Sequence, residues 1–197
     1  MSMDRDIEFL YEIGSLRFIP RQWKRFLNAD FANLADHHIR VIWLALTIAK
    51  GENIKNTGKV VKMALMHDIA ESRTGDADYL ARQYVKRDEK LGIEDMLKNT
   101  ALEAEFIELW KEYDNQKTPE AKVVKDADIL DIDFELHEQK SMGVPIINHW
   151  EDQREFVQQS RLKTKTAKKI WKKLQTSNPH DWHTKGRNRL NAGDWKN

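Results

Sequence analysis

Apolar residues return every third or fourth position along most of this chain, and alternating apolar/polar runs are nearly absent. The pattern predicts an all-α protein. Residues 4–15 read as a short amphipathic helix with Ile7, Leu10 and Tyr11 on one side. Pro20 marks a turn or the first position of another short helix. A strong helix is predicted over 33–50: Asn33 caps it, Leu34, Ile42, Ala45 and Ile48 or Ala49 recur at helical spacing, and Gly51 closes it. Residues 57–71 form a second strong helix, apolar almost all round through Val60, Val61, Met63, Ala64, Leu65, Met66 and Ile69. Such a helix belongs in the middle of the protein. Thr74-Gly75-Asp76 breaks the run, and a more polar helix is predicted over 77–90. Amphipathic helices follow over 99–114 and from Pro119 to about Lys140, the latter with Ala121, Val124, Ala127, Leu130 and Phe134 on one stripe. Gly143-Val144-Pro145 is a stop, and 150–158 and 163–175 read as two last helices. Periodicity disappears after Ser177. With no repeat or linker in view, the expected division is one helical domain over 1–176 and an irregular tail over 177–197.

Composition narrows the class. A chain of 197 residues, 40% apolar and 33% charged, supports one core. A net charge of +1 creates no global field for nucleic acid or an anionic membrane. The basic run from Arg161 to Lys173 carries Leu162 and Ile170 and is followed by Leu174. It reads as an amphipathic helix with a solvated lysine face. No apolar run approaches the ~18–20 residues of a membrane helix, and the first residues lack the basic-then-apolar pattern of a signal peptide. The absence of Cys excludes disulfides, thiolate metal ligands and a Cys nucleophile. The expectation is a cytoplasmic protein with neither nucleic acid nor membrane as partner. Seven Trp are many for this length; Trp182 and Trp195 sit in polar contexts, where a ring can cover a surface or a neighbouring subunit.

Three apolar helices carry costly groups. His37 lies three residues after Leu34 and four before Val41, at the border of a buried stripe. His67-Asp68 follows Met63 and Ala64 inside the most apolar segment, where an uncompensated carboxylate costs several kcal/mol. Asp126, Asp128, Asp131 and Asp133 lie among Val124, Ala127 and Leu130, with Asp128 one turn after Val124. Taken alone, each has a plainer reading: a hydrogen-bonded core histidine, a chance His-Asp pair, a solvated acidic face. Together, two imidazoles and two carboxylates can hold one divalent cation and leave positions for water or substrate, as a catalytic site requires. Such N/O donors suit Mn, Co, Fe, Ni, Zn or Mg without choosing among them. His67 and Asp68 point about 100° apart on a helix, so they share an ion most easily near the helix end.

L-A-D-H-H at 34–38, H-D-I-A-E at 67–71, T-G-D at 74–76 and K-D-A-D at 125–128 together resemble the HD-domain phosphohydrolases, in particular their 5′-deoxynucleotidase branch. L-R-F-I-P-R at 16–21 joins the match, which spans roughly 5–175. The resemblance implies a helical HD-domain bundle with an interior metal site, a homodimer, and a small-molecule nucleotide substrate. It implies His37, His67, Asp68 and Asp128 as metal ligands, with Asp126 the less favoured alternative to Asp128. His38 stands where the family usually has a small polar residue, and the tail beyond about 177 has no place in the family pattern. By the same resemblance Glu71 transfers a proton, Arg21 holds the phosphate, and Asp76 lies near the nucleoside sugar, giving Glu71 and Asp76 as catalytic candidates and Arg21 and Asp76 as substrate-binding ones.

Each role has a competing explanation: Glu71 paired with Arg73, Arg21 capping a helix end, Asp76 as a turn or cap residue. Arg73 is a second candidate for phosphate. The implied reaction is hydrolysis of nucleoside 5′-monophosphates to nucleoside and phosphate. The alternatives are a phosphodiesterase or (p)ppGpp-type hydrolase on the same site, and a non-catalytic sensor with a structural metal.

Overall fold

The structure, a computed structural model of the chain, describes residues 3–27, 30–187 and 189–191. Among them all regular structure is helical, apart from one isolated bridge between Pro20 and Asn33. Three helices form the centre: α3 (Leu34–Gly51), α4 (Thr57–Met66) and α8 (Pro119–Ser141), which pack against one another. Around them lie α1 (Met3–Gly14), α2 (Lys24–Leu27), α5 (Glu71–Thr74), α6 (Glu89–Leu97), α7 (Glu103–Asn115), α9 (Glu151–Arg161), α10 (Lys165–Leu174) and α11 (Asp181–Thr184). Helix α7 covers α4 and α8, and α10 lies on α8 and α3.

The ends of the central helices follow from their sequence. Asn33 and Asp36 form a capping box at the start of α3, satisfying two free N–H groups reciprocally. Asn56 accepts from Lys59 N at the start of α4, and Thr118 with Pro119 starts α8. The apolar faces then close one core. Leu34, Val41, Ala45 and Ile48 of α3 meet Val60, Met63 and Ala64 of α4 and Val123, Val124, Ala127 and Leu130 of α8, all removed from solvent. Full burial of one such large side chain contributes about 1.5–3 kcal/mol. A smaller cluster of Leu27, Phe31, Ile132, Leu136 and Ile147 seals the other end of α8.

The all-helical expectation holds, and several element boundaries differ from it. The helix expected over 57–71 stops at Met66; residues 67–70 continue as tighter turns, and α5 begins at Glu71. The helix expected over 77–90 is a loop with one 3-10 turn at Ala81–Gln83, and the helix comes later, as α6. Asp88 supplies its cap, accepting from Leu91 N. Gly92 lies in its middle and faces Ala70, where a Cβ would stand in ordinary contact with the Ala70 methyl at 3.4 Å. In α1 the buried residue is Phe9, while Ile7, Leu10 and Tyr11 face solvent. Arg5 anchors that helix instead, by donating to the carbonyls of Met96 and Lys98. Beyond Ser177 the chain makes the single turn of α11 and a 3-10 turn at Arg189–Asn191; Trp182 is exposed, and Trp195 lies outside the described residues.

The acidic run of α8 is not a solvated face. Asp126, Asp131 and Asp133 are all buried. Asp126 accepts from Lys163 N at 2.8 Å, Thr164 N at 2.7 Å and Thr164 Oγ1 at 2.7 Å, and so fixes the start of α10. Replacing it with alanine strands these buried donors. Asp126→Ala is expected to lower unfolding free energy by about 2–3 kcal/mol in urea titration, with α8 intact by circular dichroism.

Candidate functional site

The floor of the site is the junction of α3, the end of α4 and the middle of α8. His37 projects from the buried stripe of α3, and its Nδ1 donates to Asp131 Oδ2 at 2.6 Å. His67 follows the last residue of α4, and its Nδ1 donates to the Ala64 carbonyl at 2.8 Å, one of the open carbonyls of the final turn. Both rings therefore turn Nε2 inward. The two Nε2 atoms stand 3.1 Å apart. Asp68 Oδ2 lies 3.4 Å from His67 Nε2 and 3.5 Å from His37 Nε2, and Asp128 Oδ1 lies 3.5 Å from His37 Nε2. One donor atom from each of the four residues falls within 4.8 Å of every other.

These distances fit a single ion. Ligands held at about 2.1 Å are separated by about 3.0 Å at right angles and about 3.4 Å at tetrahedral angles. The chemistry fits as well. With both Nδ1 atoms donating, two lone pairs face each other, which is repulsive unless a cation stands between them. Without a metal that cation is a proton. Burial and the Arg21 guanidinium press the His37 imidazolium downward. The contacts with Asp128, Asp131 and Asp68 outweigh them and hold His37 well above the ordinary histidine range. Burial drives His67 the other way. Asp68 and Asp128 stay ionised despite burial, Asp68 through His67 and His37, Asp128 through Lys125 and His37. His38 contributes no atom to this cluster although its ring lies 4.7 Å from that of His67: its Nδ1 donates to the Leu34 carbonyl, and burial lowers it to about 3.

Above the floor opens a cavity of about 660 Å³, lined by Arg21, Asp68, Glu71, Asp76, Lys125 and Asp128 among others. The tight turns at 67–70 carry the chain from the ligands to Glu71. Glu71 is buried; its Oε1 accepts from Arg87 Nη1 at 2.7 Å, and its Oε2 has no partner. Burial and the charges of Asp68 and Asp76 raise its carboxyl to about 9. Gly75, at φ 72°, makes the turn that follows, in a region where glycine is favoured. Asp76 then accepts from Gln22 N at 2.9 Å and stands 3.7 Å from Arg21 Nε, so it fixes the loop that presents the guanidinium. The other end of that guanidinium is 3.8 Å from Asp68.

Several of these neighbours were not singled out from the sequence. Arg73, the competing partner for Glu71 and second candidate for phosphate, lies outside the cavity on Glu12, at 2.7 and 2.9 Å, and the cation on Glu71 is Arg87. Arg87 belongs to a stretch expected to be mid-helix, so nothing aimed it at Glu71. Lys125 was visible only as the first letter of K-D-A-D. Its Nζ holds Asp128 Oδ2 at 2.8 Å, leaving Oδ1 for the shared centre. Asp131, which orients His37, was hidden in the acidic run.

A family profile described as HD domain matches residues 13–176 of the chain. The chain belongs to the HD domain family. Among curated relatives, the 5′-deoxynucleotidase HDDC2 of Danio rerio is 33% identical over 147 residues, 71% of this HD-domain chain and 72% of that protein. The 5′-deoxynucleotidase HDDC2 of Homo sapiens is 30% identical over 142 residues, 69% of each chain. A structural-genomics crystal structure superposes with a TM-score of 0.72 at 28% identity, covering 91% of this chain and 99% of that one. Fold, ligand cluster and relatives together support an HD-domain enzyme with a divalent metal ion.

Metal ligation requires neutral His37, whereas the ion-free protein holds a proton there. Binding of Mn or Co at neutral pH is therefore expected to release close to one proton, read as a dependence of calorimetric enthalpy on buffer ionisation heat. Affinity is expected to fall about tenfold per pH unit on the acid side of His37. A chelator is expected to lower Tm, and metal at about a hundred times Kd to restore about 2.7 kcal/mol.

Proposed function

We propose that this protein hydrolyses nucleoside 5′-monophosphates to nucleoside and inorganic phosphate, with deoxyribonucleotides preferred. The observation that carries the reading is the placement of the four-donor cluster at the floor of a cavity beside Glu71 and Arg21. Asp68 and Asp128 line that cavity, so an ion they held would be within reach of a substrate there. The substrate class follows the relatives named 5′-deoxynucleotidase at 30–33% identity.

His37, His67, Asp68 and Asp128 hold the metal in this reading, and a divalent ion there supplies Lewis acidity and makes a water nucleophilic near neutral pH. Arg21 binds phosphoryl oxygens with two parallel N–H groups and stabilises the charge they carry. Asp76 positions Arg21 through the Gln22 amide and faces the nucleoside sugar. Glu71 keeps a proton on its unpartnered Oε2 and passes it to the departing sugar oxygen; its high affinity for a proton suits an acid at neutral pH. Arg87 fixes the other oxygen of Glu71 and so determines which one reacts. Trp23 and Tyr79 offer flat surfaces to the nucleoside at one wall. The protein acts in this reading on small nucleotides rather than nucleic acid, in the cytoplasm. It pairs as a homodimer, for which the exposed Ile39 and Trp43, one turn apart on α3, offer apolar surface.

A panel of nucleoside 5′-monophosphates with Mn or Co is expected to release phosphate, fastest from deoxyribonucleotides. Absence of turnover on every monophosphate, with metal shown to be bound, removes the proposal. Glu71→Gln is expected to lower kcat by ~10²–10⁴-fold and to abolish the alkaline limb of the pH–rate profile. Arg21→Lys keeps the charge but loses the fork, and is expected to raise KM by about tenfold.

A further inference from the structure

The wall of the cavity contributed by α9 has a chemistry that one phosphate does not use. Gln153, Val157 and Arg161 recur four residues apart on α9 and all line the cavity, and Lys163 continues the row past the helix end. The wall is held in place. Arg154 forks onto both oxygens of Asp133, at 2.8 and 2.7 Å, and donates to the Ile129 carbonyl at 2.9 Å, which ties α9 to α8. Between Arg161 and Lys163, Leu162 is buried, and the Lys163 amide is fixed on Asp126.

The pairing of charges across the cavity is uneven. On the floor, Asp68, Asp128 and Glu71 are engaged by Arg21, Lys125 and Arg87 respectively. Arg82, Arg161 and Lys163 also line the cavity, and among the described residues none of them has a carboxylate within 4.0 Å, while of the remaining acids in the lining Asp76, Asp78 and Glu89 are paired and Asp114 is not. A solvated lysine face explains the outward residues of α10, and the dipole at the end of α9 favours Arg161 by itself. Neither explains three unpaired cations turned to one cavity whose floor already has its own guanidinium. A second observation comes from Gln153, whose Oε1 is buried without a partner in the same wall. A buried acceptor of this kind costs free energy until a donor arrives.

We propose that the α9 wall is a second anion subsite, which takes a further phosphate group of a nucleotide whose 5′-phosphate lies at the metal floor. The proposal rests on the nucleotidase reading and extends it to 5′-nucleotides that carry a further phosphate on the sugar. Arg161 and Lys163 grip the second phosphate from α9 and the segment after it, Arg82 faces it from the loop before α6, and Gln153 accepts from a hydroxyl or amine of the nucleoside.

The test is calorimetric titration of the Mn-loaded Glu71→Gln protein, which slows turnover, with 2′-deoxyadenosine 5′-monophosphate, with 2′-deoxyadenosine 3′,5′-bisphosphate and with inorganic phosphate. The bisphosphate is expected to bind about tenfold tighter than the monophosphate, the gain of one charge-assisted contact. Adding Arg161→Ala and Lys163→Ala, both at exposed positions, is expected to bring that ratio close to one. Equal affinities, or a ratio that survives the double substitution, overturn the proposal. So does saturable binding of inorganic phosphate to the monophosphate complex with no preference for the bisphosphate, which assigns the cations to a free ion. Phosphate release by the unsubstituted enzyme is measured separately. Tight, ratio-sensitive binding without release sinks the hydrolase reading and sustains the subsite.

Discussion

Two imidazole nitrogens aimed at each other across 3.1 Å set the terms for everything around them. The hydrogen bond to Asp131 and the bond to the Ala64 carbonyl leave both rings presenting lone pairs, so the junction is unstable without positive charge at its centre. Asp68 and Asp128 extend that demand. The central helices must therefore meet in one register: a turn's shift of α8 past α3 would separate Asp131 from His37 and Asp128 from the centre together. The capping box at Asn33 and the Thr118-Pro119 start fix where those two helices begin, and so fix that register.

Helix α8 shows how one element can bear many buried acids. Each carboxylate has a different debt to settle with its surroundings. Asp126 collects donors from the start of α10, Asp128 takes Lys125 and the shared centre, Asp131 orients His37, and Asp133 receives Arg154. Burial without partners would cost several kcal/mol per group. The four fall on two opposite faces, 126 with 133 and 128 with 131, and their separate partners make α8 the frame on which α3, α10 and α9 are aligned.

Much of the fold was legible in the sequence because its long helices carry strong apolar periodicity and ordinary caps. Leu34 to Ile48 and Ala121 to Leu130 are such stretches, and both formed where expected. The misplaced helix around 77–97 failed for a physical reason. Gly92 discourages a helix in isolation, and the Asp88 cap with the burial of Ile93, Met96 and Leu97 outweighs it. The stop of α4 at Met66 was hidden for a related reason. Residues 67–71 keep helical composition, and the tighter turns there are imposed by the tertiary positions of His67 and Glu71. For the site, order, spacing and the family resemblance marked His37, His67-Asp68 and Asp128, and the fold brings their donor atoms together. The supporting groups, Asp131, Lys125 and Arg87, were not marked, because their significance lies in which atom they face, and charge patterning along a chain does not encode direction.

The attachment of α9 has an evolutionary consequence. The helix joins the frame through the Arg154 side chain and through the Asp126 clasp on the Lys163 and Thr164 amides just beyond its end, and neither connection uses the side chains of Gln153, Val157, Arg161 or Lys163. Substitutions at 153, 157, 161 and 163 can therefore accumulate without disturbing the groups that handle phosphorus. In a lineage of duplicated genes, such a detachable wall lets descendants explore new metabolites while the reaction itself is inherited unchanged.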